Sequence, residues 1–105
     1  MAGRVAGSVA TIVPLPEHRQ EVIATITETV AKVHEEDGCE LYALHQADDR
    51  LVMVEKWASS EALRTHGKGA ALAAQGPRLA GKIAGPAEVI VLRAVPAGDP
   101  GKGQL

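Results

Sequence analysis

In this 105-residue chain the side chains with chemistry to offer are few: four histidines, one tryptophan, one tyrosine and one cysteine. His18, His34, His45 and His66 include no pair four residues apart, so no helix turn presents two of them as metal ligands. The run "HEED" at 34–37 starts like a zinc helix but lacks its second histidine, and "GKG" at 67–69 lacks the lead-in and the following Ser or Thr of a phosphate loop. No bound metal or nucleotide is expected from these spacings. What an imidazole can still do near neutrality is take and return a proton. His18 beside Glu17 reads as surface, and His34 near a helix end as a complement to the helix dipole. His45 and His66 are the candidates for proton transfer, although a histidine on an apolar strand face is often only a hydrogen-bonded core residue. Cys39 is read as a small buried hydrophobe.

Tyr42 and Trp57 are the only aromatic rings, so a planar ligand would have few other surfaces to stack on. The plain alternative is that Trp57 fills the core. If Leu51–Trp57 is a strand, alternation puts Leu51, Met53, Glu55 and Trp57 on one face and Val52, Val54 and Lys56 on the other. A carboxylate, a thioether and an indole then point the same way. His66 follows nine residues after Trp57, with Leu63 one turn before it. A short helix would aim His66 and Leu63 together at the sheet.

Those side chains need a frame, and the chain supplies its punctuation. Val5 to Val13 is rich in Val, Ile and Thr and is closed by Pro14 and Pro16, which predicts a first strand. Val22, Ile23, Ile26, Val30 and Val33 form one apolar stripe, predicting a helix that stops near Asp37 because Gly38 can turn left-handed. Cys39–Gln46 and Leu51–Trp57 read as a hairpin around the polar turn at 47–50. Ser59 or Ser60 can cap a short helix through His66. Lys68 to Ala84 is Ala-rich and helical in propensity, with Gly76 and Pro77 expected to split it. Glu88 to Val95 reads as the last strand.

The order β-α-β, β-α-β is that of the split βαβ pattern in α+β, ferredoxin-like folds, an antiparallel sheet with helices on one face. One domain is expected over residues 1–95, with a flexible Pro- and Gly-rich tail over 96–105. Both faces of the strands carry apolar residues, so the bare face is expected to pack on a second copy, making a homodimer.

Apolar residues are 46% of the chain, and the formal charge is −2 with no basic run. Nucleic acid is thereby disfavoured as a partner, because phosphate binding needs clustered cations. The longest apolar stretch falls far short of the roughly 20 residues that span a bilayer. Met1 to Ser8 lacks the apolar core of a signal peptide, and a lone cysteine cannot close an internal disulfide. A cytoplasmic location is the expectation.

Two stretches, "DGCELYALHQ" and "RLVMVEKWASSEALRTH", resemble the antibiotic biosynthesis monooxygenase domain family. The likeness runs through Gly38, Cys39, Tyr42, Leu44 and His45, then Val54, Glu55, Lys56 and Trp57, then Ser59 or Ser60, Glu61, Ala62, Leu63 and His66. It continues through "LAGKIAGPAEVIVLRAV" and covers roughly residues 5–95. What it implies is a ferredoxin-like protomer that dimerises through its sheets into an α+β barrel. It also implies quinol monooxygenase-like oxidation of a quinol or polycyclic aromatic with O2, without metal, flavin or haem. On that reading His66 or His45 transfers the proton, Trp57, Tyr42 and Met53 hold the substrate, and Glu55 orients a partner. Relatives of the same fold degrade haem with an Asn, Trp and His set. This chain has no Asn, and Gly76 stands ten after His66, where their His is expected, so haem degradation is disfavoured. The missing Asn also sets the chain apart from anthrone oxygenases. The rival expectation is a non-catalytic ligand-binding or stress-associated dimer that keeps the barrel without the oxidation.

Overall fold

A computed structural model of the chain describes residues 6–105. The elements in order are β1 (Ala6–Ile12), a 3-10 turn (Pro16–His18), α1 (Arg19–Val33), β2 (Cys39–Gln46), β3 (Leu51–Trp57), α2 (Ser60–Gly67), α3 (Ala70–Leu79) and β4 (Glu88–Leu92). The four strands form one sheet in the order β2-β3-β1-β4, with every neighbouring pair antiparallel. This is the split βαβ arrangement, with the helices on one face. The expected start of β1 at Val5 lies outside the described residues.

The expected dimeric α+β barrel is not the arrangement found. Among the described residues the sheet is open, with β2 and β4 at its edges. Four twisted strands cannot close on themselves, since about eight are needed for even the narrowest filled barrel.

α1 buries Val22, Thr25, Ile26, Thr29 and Val33. Those positions define a stripe rotated from the purely aliphatic one expected, with Ile23 and Val30 on its flanks. Threonine tolerates this because its hydroxyl can bond back along the helix, as Thr29 Oγ1 does to the Thr25 carbonyl at 3.3 Å. α1 ends at Val33, earlier than expected. A tight turn follows, and Gly38 at φ 83° leads into β2. A side chain there would strain the backbone and bring its Cβ within 2.6 Å of the Ala62 Cβ.

α2 is capped by Ser59, whose Oγ accepts from the Ala62 amide at 3.0 Å. α3 passes through Gly76 and Pro77 as one helix, against the expected break. Its Ala-rich start carries strong propensity, and Pro77 falls so near the end that only the last turn loses a hydrogen bond. Buried Leu79 and the pair Arg78 Nη2 to Glu28 Oε2, at 2.7 Å, fasten that end to α1. β4 ends at Leu92, three residues short of expectation, where its ladder with β1 reaches Gly7.

The core lies between α1 and the inner face of β1 and β3, around Trp57, Ile26, Leu51, Met53, Val22 and Val33. β4 stands beyond this cover, with Val89, Ile90 and Val91 all about 60% exposed (59%, 58% and 61%).

Candidate functional site

Register decides which side chains meet. Opposite one another on the inner face stand Tyr42 and Glu55 on β2 and β3, and Ser8 and Glu55 on β1 and β3. A bulge between Cys39 and Leu41 shifts the alternation of β2, so that Cys39 pairs with Trp57 while Tyr42 still faces the helices. Across from this row, the last turn of α2 lowers His66 onto the sheet, where it is 5% exposed.

Three rings and two carboxylates come together there. The Trp57 Nε1–H donates to Glu55 Oε1 at 3.0 Å, both residues being buried. The indole lies under His66, with ring centroids 4.5 Å apart, and Tyr42 meets the imidazole edge-on at 5.1 Å. His66 Nδ1 is 2.8 Å from Glu36 Oε1, and its Nε2 is 3.8 Å from Glu55 Oε1. A carboxylate only accepts, so Nδ1 carries hydrogen toward Glu36. In the neutral ring that leaves the Nε2 lone pair facing the sheet side. Positive charge developing on the ring would be met by a carboxylate on either side.

Burial pushes the Tyr42 hydroxyl far above the usual phenol range, and the negative charges of Glu55 and Glu36 push it further. It therefore stays protonated at any ordinary pH and can act only as a hydrogen-bond partner, not as a base. The Cys39 thiol is likewise raised, first by burial and then by Glu36 and Glu55. A thiol so placed is a poor nucleophile.

Under the helices lies a cavity of about 480 Å³. Tyr42, Met53, Glu55 and His66 bound it at the β2–β3 end, aliphatic side chains such as Ile26, Leu63 and Leu79 form its walls, and it reaches Val89 and Val91 on β4. A larger groove of about 830 Å³ runs outside, past Glu36, Asp37, Glu61 and the other edge of His66. The smaller space is the better candidate, because its walls are mostly aliphatic and the sheet brings Tyr42 and Glu55 to it beside His66, while its β4 end at Val89 and Val91 opens to solvent.

Of the residues singled out from sequence, the structure brings Tyr42, Met53, Glu55 and His66 to this cavity. Trp57 is fully buried behind His66 and does not line it. His45 is not brought there. It is exposed on the helix-free face of β2, with Nδ1 bonded to the Ala43 carbonyl at 3.0 Å. Its strand neighbours Leu41 and Ala43 share that face. Glu36 was not singled out, although it makes the shortest bond to His66; thirty residues separate the two, and no local spacing signals the contact. The two carboxylates stand on different nitrogens of one ring, and among the described residues no group of three or more His, Cys, Asp or Glu converges as metal ligands. No described helix is long and apolar enough to cross a membrane.

The family model described as antibiotic biosynthesis monooxygenase matches residues 7–74. Among solved structures, Rv0793 of Mycobacterium tuberculosis superposes with a TM-score of 0.81 at 23% identity, covering 90% of this chain and 99% of its own. A candidate antibiotic biosynthesis monooxygenase from Caulobacter crescentus gives 0.81 at 28% identity, covering 90% and 93%. Another from Nitrosomonas europaea gives 0.82 at only 12% identity, covering 90% and 94%. No curated protein matches the sequence.

Proposed function

This chain belongs to the antibiotic biosynthesis monooxygenase family, and from that premise we propose that it oxidises a quinol or related polycyclic phenol with O2, using no bound cofactor. The observation that carries the proposal is His66, held at Nδ1 by Glu36 at 2.8 Å, with Nε2 3.8 Å from Glu55 Oε1 and the ring lining a largely aliphatic cavity beside a tyrosine that keeps its proton.

In this reading His66 Nε2 takes a phenolic proton, leaving an electron-rich anion. The anion passes one electron to O2, and the resulting radical pair joins at a ring carbon as a hydroperoxide. Loss of the carbon-bound proton with cleavage of the O–O bond gives a carbonyl and releases water. A quinol plus O2 thus yields a hydroxyquinone plus water, with no other reductant. His66 returns its proton to the peroxide oxygen, and Tyr42 donates a hydrogen bond to the anion. Met53 packs against the ring system, and the aliphatic walls keep water from the intermediate. Trp57 and Glu55 are positioning residues, holding the underside of the imidazole.

Oxygen uptake with a panel of quinols tests the reading. Wild type should consume O2 well above buffer, and His66→Ala should fall back toward it. If wild type binds these aromatics yet consumes no O2 above buffer, the protein is a ligand carrier and the oxidation is withdrawn.

A further inference from the structure

Two polar atoms in the cavity have no task in the reaction just described. Among the described residues, Ser8 Oγ and Gln75 Oε1 are buried without a hydrogen-bond partner. They line the same cavity, Ser8 from the sheet and Gln75 from α3. Ser8 is 0% exposed in the middle of β1, between Glu55 on β3 and Val91 on β4. Most of the surrounding wall is aliphatic, including Ile12, Ile26 and Leu79. A serine in that setting would be better replaced by alanine unless something bonds it.

Their position along the cavity is informative. Tyr42, Glu55 and His66 sit over β2 and β3, while Ser8 lies one strand further toward β4. Neighbouring strands are about 4.8 Å apart, which is the scale of one six-membered ring. A planar ligand with one oxygen at His66 can therefore carry a second across the ring at Ser8. The two orphans also differ in what they ask for. Gln75 Oε1 only accepts, whereas the Ser8 hydroxyl both donates and accepts. A ligand hydroxyl answers both, donating to Gln75 and accepting from Ser8. A carbonyl or an ether leaves Gln75 Oε1 unpaired.

We propose that Ser8 and Gln75 form a distal subsite for a hydroxyl group, so that the cavity selects a two-hydroxyl aromatic, a hydroquinone, over the ether or quinone of the same ring system. The subsite rests on the reading of this cavity as the substrate pocket, and it lets the reduced substrate bind more tightly than its oxidised product.

The test is anaerobic binding of 1,4-dihydroxynaphthalene, 4-methoxy-1-naphthol and 1-naphthol, followed by quenching of Trp57. It is the only tryptophan and lies 4.5 Å from the His66 ring, so the signal reports the site. Wild type should bind the diol about tenfold more tightly than the methoxy ether, as expected for a satisfied buried acceptor. Ser8→Ala and Gln75→Met should each reduce that preference to about threefold or less while leaving 1-naphthol affinity within about twofold. Ligand-free Ser8→Ala should melt no lower than wild type, because it removes a hydroxyl that bonds to nothing; a lower melting temperature would make Ser8 structural and overturn the subsite. Equal binding of diol and ether by wild type would overturn it too, even if O2 uptake is normal. A diol preference without O2 uptake would retain the subsite and sink the oxidation. Failure of all three ligands to bind would overturn both. Should Gln75→Met fail to fold, Ser8→Ala decides alone.

Discussion

The two faces of β3 differ in a way opposite to simple expectation. The helix-covered face, Leu51, Met53, Glu55 and Trp57, is 0 to 3% exposed yet holds a carboxylate, and beside it lie the buried Ser8 and His66. The bare face is built from Val52, Val54 and the stem of Lys56, next to Val9 on β1, all half-buried. Polar groups are thus stranded where water is excluded, and aliphatic ones where it is not. Burying a carboxylate, an imidazole and a hydroxyl under helices is costly unless each is bonded. That cost is the reason the covered face is the candidate for the working one.

The largest effect that would break this contrast comes from Trp57. Trp57→Ala removes a fully buried indole and leaves Glu55 Oε1 without its donor at 3.0 Å. A loss of about 3 to 5 kcal/mol is expected. In a domain of this size that lowers the melting temperature by about 15 °C or more. Val54→Ala, on the same strand but the bare face, should cost at most about 1 kcal/mol. Similar losses in urea titrations of the two variants would erase the distinction between the faces.

Next come the groups around the imidazole. His66→Ala should lower the rate of O2 uptake by about 100-fold or more, within the range for a lost general base. Glu36→Ala should keep the fold, since Glu36 sits at the surface end of the pair, but should lower kcat by about tenfold through loss of the Nδ1 partner. A changed pH profile of kcat would separate positioning from mere support. If Glu36→Ala changes only KM, the Glu36–His66 pair is structural.

Tyr42 sharpens the contrast by its alkaline behaviour. It is the only tyrosine, and its hydroxyl is held protonated by burial and by the nearby Glu55 and Glu36. Unfolded, it ionises near its ordinary value of about 10. Above that pH the unfolded chain releases a proton that the folded chain keeps, so stability falls as pH rises. Melting temperature should decline above about pH 10, and Tyr42→Phe should flatten that decline. Tyrosinate absorbance rising before the fold melts would show the ring to be accessible, and the covered face to be wetter than drawn.

How much of this was legible in the sequence differs by the range of the contact. The hairpin was readable to its ends, because two strand-like runs, Cys39–Gln46 and Leu51–Trp57, flank one polar turn, but the bulge between Cys39 and Leu41 that shifts the alternation of β2 left no mark in the sequence. Alternation also puts Tyr42 and His45, an odd number of positions apart, on opposite faces. They could not both line one pocket. The rotated stripe of α1 was hidden because Thr25 and Thr29 count as polar until their hydroxyls bond the helix itself. α3 ran through Pro77 because packing against α1 outweighed a lost bond in the last turn. Glu36 on His66, and Ser8 and Gln75 lining one cavity, are meetings of distant segments that no local period records. The closed barrel failed for a different reason: a resemblance to proteins that assemble says nothing of how a single chain's sheet ends.

His45→Ala should have the smallest effect of all, and it tests the contrast most directly. The resemblance offers His45 and His66 equally as proton carriers, and both have the same chemistry in water. What separates them is the sheet between them. His45 stands on the bare face opposite Val52, and among the described residues it is bonded only to a carbonyl of its own strand, with no carboxylate to fix its tautomer. Replacing an exposed histidine there should change stability by no more than about 0.5 kcal/mol. O2 uptake should stay within about twofold of wild type, since no group of the cavity touches the ring. Were His45→Ala instead to abolish uptake while His66→Ala did not, the reaction would have to run on the aliphatic face, and the stranded polar groups of the covered face would need another explanation.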